Sequence, residues 1–319
     1  MLSKMWRQRF NINELRNCSS DFPFTRELFE DLSKLGIAVI GCMCFVTLVI
    51  CLIFLEELCF LIRHDPDWRN VRRKLWLLGL YPVFGFCCIV AVIVPRSSQL
   101  NDLISAVYLS ICLVQFMRLM ILYFGGEVKM LVTLSSVDIP LQSPPIACCL
   151  CCLPRKSMTR SRLNWIKGLV WQVALLRPVF TFTSAVLWSN GQYNPHLLTI
   201  DSPYTYIVSI NGISTLLAMY GLIMVFRMAK LHLTRVNITH KFACLQLMLV
   251  FSNLQPVIIS FIGSSGLIKC QGSISTEAKT EMLSHLLLLA EVFLLSIYAR
   301  WHYRRKHEWT DSDTDESLR

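Results

Sequence analysis

Charge is scarce in this sequence. Asp, Glu, Lys and Arg together make up 16% of its 319 residues, while 54% are hydrophobic and the mean hydropathy is +0.50. Soluble domains carry about a quarter charged residues, so an arrangement of ordinary soluble domains is excluded. No basic block is interleaved with aromatics. The net charge of +10 sits in short clusters between apolar runs, which excludes a nucleic-acid signature and fits cytosolic anchoring at a membrane. Most of the fourteen cysteines follow neither a disulfide framework nor a zinc spacing. No Gly-rich phosphate loop, His-Glu-x-x-His or serine-triad pattern occurs, so no enzyme, cofactor or metal site is expected. There is no internal repeat. Residues 1–34 are mixed and polar without an apolar core, so no secretory signal is expected and the first apolar run should act as a signal anchor.

What is present is long apolar runs. Crossing the hydrocarbon takes roughly 20 mostly apolar residues. Seven runs meet that length, at about 35–62, 75–94, 103–124, 166–188, 204–227, 241–262 and 282–302. The fold class expected is therefore an all-α integral membrane protein with seven transmembrane helices. Residues 1–34 form an N-terminal segment, 35–303 the membrane domain and 304–319 a tail.

Orientation follows from Lys and Arg in the connections. The first holds Arg63, Arg69, Arg72, Arg73 and Lys74. The third holds Lys129, Arg155, Lys156, Arg160 and Arg162, with Lys167 at its edge. The fifth holds Arg227, Lys230, Arg235 and Lys241, and the end of the chain Arg300, Arg304, Arg305, Lys306 and Arg319. The second, fourth and sixth hold only Arg96, Lys269 and Lys279. This alternation predicts an outside N-terminus and a cytosolic C-terminus. The basic residues Lys4, Arg7, Arg9, Arg16, Arg26 and Lys34 run against it, but six consistent connections outweigh one segment. Asn17-Cys18-Ser19 then reads as an outside glycan acceptor, whereas Asn237-Ile238-Thr239 faces the cytosol and is silent. Cys18 and Cys270 are the two cysteines expected outside, where they could form a disulfide.

Ionisable groups within spans are few, and such groups tend to face a bundle interior or a pathway. Glu56 and Glu57 lie at a depth similar to Arg118, so an ion pair between the first and third spans is one reading. Arg177 and Glu291 match in depth near the middle of the fourth and seventh spans. An unpaired charge there costs roughly 2.5–3.5 kcal/mol on insertion scales. Arg118 and Arg177 either attract an anionic solute or serve structural ion pairs, and Arg118 could also snorkel to headgroups. The third span carries Ser105, Tyr108, Cys112, Gln115 and Arg118 at helical spacing, and Gln246 and Asn253 share a face of the sixth. These stripes suit a polar pathway or interhelical hydrogen bonds. Pro178 follows Arg177 and Pro256 follows Gln255. A kink beside a polar side chain opens a local cavity or makes a rigid bend.

Cys148-Cys149-Leu150-Cys151-Cys152 lies near the start of the fourth span. Palmitoylation is the favoured reading. Zinc is disfavoured because all four thiols fall within five residues, and inert thiols are the third reading. The segment Asp311–Ser317 is acidic and hydroxyl-rich, and is expected to be disordered.

Several stretches together resemble one family. They are Ile53-Phe54-Leu55-Glu56, Pro95-Arg96-Ser97, Phe124-Gly125-Gly126-Glu127, the cysteine cluster with Pro154-Arg155, and Ser214-Thr215-Leu216-Leu217-Ala218. Leu231-His232-Leu233, Lys241-Phe242-Ala243, Leu254-Gln255-Pro256, His285-Leu286-Leu287, Glu291 and Tyr303-Arg304-Arg305-Lys306 complete the set. Over about residues 35–306 the chain resembles the organic solute transporter alpha-subunit family. That resemblance implies a facilitative, sodium-independent carrier of amphipathic organic anions such as steroid sulfates and conjugated bile acids. It implies a heteromer with a single-span beta subunit in the plasma membrane, basolateral in polarised cells. The chain departs from the family in its two terminal segments and in the leucine that interrupts its cysteine run. A basic residue stands at Arg177 in the family, whereas Arg118 has no clear counterpart.

Two other classes compete. A seven-span receptor shares the topology, but the third span ends in Tyr123-Phe124-Gly125-Gly126-Glu127 rather than Asp-Arg-Tyr. The seventh reads Ser296-Ile297-Tyr298-Ala299-Arg300 without an Asn-Pro-x-x-Tyr turn, and it offers no lysine for a retinal Schiff base. A membrane scaffold that moves no solute is the third reading.

Overall fold

The computed structural model describes residues 25–26, 34–134, 138–139, 156–190, 202–233, 237–264 and 275–304. Asn17, Cys18, Cys148, Cys149, Cys151, Cys152 and Cys270 lie outside the described residues, as does the acidic tail.

The fold is all-α, and among the described residues seven helices are long and apolar enough to cross a membrane. They are Lys34–His64, Trp68–Ile93, Pro95–Tyr123, Arg160–Leu187, Pro203–Lys230, Ile238–Gly263 and Thr276–Tyr303. Each covers one of the seven apolar runs. A short helix, Glu127–Leu134, follows the third span. Two two-residue strands, Asp138–Ile139 and Lys156–Ser157, pair antiparallel with Asp138 opposite Ser157.

Large apolar side chains are exposed along the spans. Phe45 is 65% exposed, Phe182 72%, Phe261 76% and Leu294 65%. In water such surface would drive association. On membrane-spanning helices it is the surface that faces acyl chains. Cys42, Cys44 and Cys59 share this exposure, whereas Cys87, Cys88, Cys112 and Cys244 are buried as small apolar groups.

The helices start and stop for local reasons. Asp67 caps Trp68–Leu78, its carboxylate accepting from the backbone N–H of Arg69 at 3.0 Å. Gly79 separates that stretch from Leu80–Ile93 while keeping right-handed backbone angles. The third span ends in a Schellman turn. Gly126 N–H donates to Ile121 C=O at 3.0 Å and Gly125 N–H to Leu122 C=O at 2.8 Å. Gly125 takes φ 78° and Gly126 φ 107°, which side chains with a Cβ rarely adopt. The sequence Phe124-Gly125-Gly126-Glu127 is thus a chain-reversal signal. Pro178 and Pro256 lie inside the fourth and sixth spans without ending them.

Packing divides the chain into two compact units, one of Met1–Leu52, Pro82–Asp102 and Met248–Leu294, the other of Ile53–Tyr81, Leu103–Leu247 and Leu295–Arg319. In the first, Met43, Ile50, Phe84, Val92, Ile259 and Val292 are buried. Gly263 lies so close to Thr280 that a Cβ there would sit 2.6 Å from its hydroxyl, the small-residue contact that lets membrane helices approach. Ser98 donates to Glu281 at 2.6 Å, and His285 lies 4.0 Å from Asp102.

The second unit buries Leu61, Phe116, Leu119, Met120, Val170 and Val225, and the fourth and fifth spans pack on each other within it. Glu56 and Glu57 do not pair with Arg118 as one reading had it. Arg304 lies 2.6 Å from Glu57 and 2.9 Å from Glu56, and Arg300 lies 2.7 Å from Glu56. Matching depth fixes a residue's height in the bilayer but not its bearing around the helix. The first span turns its two acids to the end of the seventh.

Candidate functional site

The second span begins as an amphipathic helix. In Trp68–Leu78, Val71, Lys74, Leu77 and Leu78 are buried. Arg69, Arg72, Arg73 and Trp76 stand at i, i+3, i+4 and i+7, a single helical face. The third span supplies a matching row, Gln115, Arg118 and Leu122. The two rows enclose a cavity of about 560 Å³, which Glu127 completes.

The remaining stripe residues of the third span hold this pair of helices in register. Tyr108 Oη donates to Trp76 C=O at 3.0 Å, and Cys112 Sγ donates to the same oxygen at 3.4 Å. Arg73 donates to Arg118 C=O at 2.8 Å. The guanidinium of Arg118 lies 4.6 Å over the ring of Trp171, a cation–π contact from the fourth span. Tyr108 and Gln115 were read as pathway residues. The structure makes Tyr108 a brace and leaves Gln115 facing the cavity.

Four arginines converge here, and the nearby acids are occupied elsewhere. Asp65 accepts from Lys74 Nζ at 3.3 Å and from Asn70 Nδ2 at 2.7 Å. Asp67 caps its own helix. Glu127 accepts from Lys167 at 2.7 Å. Among the described residues no ion pair engages Arg69, Arg72, Arg73 or Arg118. Burial pushes the Asp65 carboxyl above its ordinary range, and the Lys74 ammonium opposes that rise.

A second polar region lies within the spans. Arg177, past the midpoint of its 30-residue helix, donates to Thr215 Oγ1 at 2.7 Å. Its partner is a hydroxyl and not a carboxylate, and its Nε is buried without a hydrogen-bond partner among the described residues. The same holds for Gln172 Nε2 and Ser184 Oγ on the fourth span, and for Asn211 Oδ1 and Ser214 Oγ on the fifth. Buried polar atoms nearly always find partners, and in hydrocarbon an orphan costs several kcal/mol.

The other candidates stand on the sixth and seventh spans. Gln246 Oε1, both polar atoms of Gln255 and Glu291 Oε2 are each buried without a hydrogen-bond partner among the described residues. Asn253 donates to Leu249 C=O at 2.7 Å in its own helix, so it satisfies itself.

Sequence reasoning singled out Arg118, Gln115 and Arg177 as pathway candidates and did not single out Arg69, Arg72, Arg73 and Trp76, which share the cavity with Arg118 and Gln115. It used those arginines only to orient the chain. Their i, i+3, i+4, i+7 spacing was the available signal. Asn211 and Ser214 stand out in the sequence only as part of a small, polar packing face of the fifth span, and Gln172 and Ser184 not at all, because nothing in a sequence shows which polar atoms lack a partner.

Comparisons with known proteins agree over most of the chain. Residues 38–308 match the family model described as organic solute transporter Ostalpha. The organic solute transporter subunit alpha of Danio rerio is 29% identical over 291 residues, covering 91% of this chain and 89% of its own length. The Homo sapiens subunit alpha is 29% identical, covering 91% and 85%. Organic solute transporter alpha-like protein 3 of Caenorhabditis elegans is 23% identical, covering 91% and 84%. No solved structure matches the chain. A family match that runs through all seven spans, with relatives aligned over about nine-tenths of the sequence, leaves one conclusion: the chain belongs to the organic solute transporter alpha family.

Proposed function

We propose that this chain is the alpha subunit of a facilitative, sodium-independent carrier of amphipathic organic anions, steroid sulfates and bile-acid-like conjugates among them. It works as a heteromer with a single-span beta subunit in the plasma membrane, with its N-terminus outside and its C-terminus cytosolic. Membership of a transporter family supports the transport role. The name of the Danio rerio and Homo sapiens relatives, subunit alpha, supports a heteromer.

The observation that carries the anion reading is Arg177. A cation inside a span is costly unless it is paired, and among the described residues this one has only the Thr215 hydroxyl. The charge is retained on two helices that also hold four further polar side chains with buried, unpartnered atoms. That set can desolvate and hold an anionic group without a resident carboxylate to compete. The apolar surroundings suit a steroid-like body.

Uptake of labelled steroid sulfate tests the proposal, in cells expressing this chain alone and together with a beta subunit, with surface level monitored. Uptake that needs both chains and ignores sodium is expected. Arg177→Gln should reduce it roughly tenfold or more at unchanged surface level, since losing one good charged contact is worth about 1.5–3 kcal/mol. Arg177→Lys should retain part of it. Normal uptake by Arg177→Gln would remove the anion-binding role from this site. No uptake by the pair at normal surface level would turn the reading to a receptor or a scaffold.

A further inference from the structure

The arginine cavity is not part of the Arg177 region, and it has features that the transport reading does not use. Four guanidiniums share one concave site with a single carboxylate, Glu127, which is itself paired with Lys167, so cationic groups outnumber acidic ones in its lining. Like charges held together this way repel one another, and the arrangement is stable when an anion lies between them. Arg forks suit phosphate oxygens, which they can bind bidentately.

The neighbouring side chains say where that anion comes from. Trp76 lines the cavity and is 39% exposed. Trp171 lies under Arg118, and Trp68 and Trp165 stand on the same two spans, all of them exposed. Exposed tryptophans among Lys and Arg at the ends of spans mark headgroup level in a bilayer. A basic pocket between membrane helices at that level is how anionic headgroups are held. A cavity of about 560 Å³ also lies within the range of small-ligand sites.

We infer that this cavity is a binding site for the phosphate headgroup of an anionic phospholipid. Arg72 and Arg118 approach from the second and third spans, and Arg69 and Arg73 complete the charge. Trp76 packs at the glycerol level. The lipid's acyl chains stay in the bilayer, against the exposed apolar faces of the spans. A soluble phosphate or sulfate presents the same oxygens, so the test separates the two sources.

The full-length protein, purified in detergent, is titrated with dioleoyl phosphatidic acid and, separately, with dioleoyl phosphatidylcholine. Retained lipid is counted by native mass spectrometry. Preferential retention of phosphatidic acid is expected. Arg72→Gln with Arg118→Gln should weaken it roughly thirty-fold, from a contribution per arginine typical of headgroup binding. Arg72→Lys with Arg118→Lys should keep most of it, and Arg227→Gln should change nothing. Melting curves for each variant separate loss of the site from loss of the fold. Equal retention of both lipids would overturn the inference, as would unchanged retention by the Gln pair. Displacement of the lipid by an equal concentration of inorganic phosphate or sulfate would overturn the lipid assignment and leave a soluble-anion site.

Discussion

Lys74→Met should destabilise this protein more than most single changes in its spans. Lys74 is fully buried, and its ammonium lies 3.3 Å from Asp65, whose side chain is 3% exposed. At that distance, with an effective dielectric of about 20, the attraction is about 5 kcal/mol. Both ions have been taken out of water, so the net worth of the pair is much smaller. Removing one partner is different, because it leaves the other charge buried alone. The expected loss is therefore about 3–5 kcal/mol. Asn70 and the backbone N–H of Asp67 still donate to Asp65, which places the value at the lower end.

The pH dependence fixes the mechanism. Burial already raises the Asp65 carboxyl, and Lys74 opposes that rise, so losing the lysine raises it further. A carboxyl whose folded value lies above its unfolded value makes the fold most stable when it is protonated. The cost of Lys74→Met should be smallest in acid. It should grow as pH rises through the ordinary carboxylate range and on through the raised folded value. Thermal midpoints of the purified protein in nanodiscs, scanned across pH, read this directly. Asp65→Asn in the Lys74→Met background should recover most of the loss at neutral pH. A cost that does not vary with pH, or a double variant no better than the single one, would refute the reasoning.

Other changes have defined outcomes. Gly79→Ala would place a Cβ 2.5 Å from Tyr108 Oη, and overpacking of this kind costs about 1–3 kcal/mol. Adding Tyr108→Phe removes the clashing oxygen, so the double variant should melt no lower than Tyr108→Phe alone, and additive losses would count against the contact. Glu57→Gln leaves Arg304 and Arg300 with Glu56 alone. It should cost about 2–3 kcal/mol, below a fully buried pair because the arginines are partly exposed, and an unchanged thermal midpoint would show that Glu57 adds little.

The spans were legible because the bilayer demands an apolar run of a minimum length and nothing else in the chain supplies one. Their ends were less so. The second span was expected from 75, but its helix starts at Trp68. The fourth starts at Arg160 rather than 166, and the seventh at Thr276 rather than 282. Apolarity marks the part of a helix inside hydrocarbon, while the backbone keeps its hydrogen bonds through polar turns beyond it. Those extra turns are where Arg69, Arg72 and Arg73 stand, which is why a reading tuned to apolar residues passed over the cavity. Arg118 was singled out because a charge in an apolar run is conspicuous. That no carboxylate among the described residues pairs with it could not be read, since this depends on where Asp65, Glu127 and Glu56 spend their own charges.

The capped arginine turns and the apolar remainder together make up the second span, Trp68–Ile93. At the helical rise its apolar part, Leu75 to Ile93, amounts to about 28 Å, close to the hydrocarbon thickness of an ordinary bilayer. No length is left over. A thicker membrane must thin itself locally or draw the arginine turns inward, and each costs energy. The geometry of the four guanidiniums is thereby tied to bilayer thickness. A sterol-rich membrane and a thinner internal one would present the same protein with its basic face at different heights.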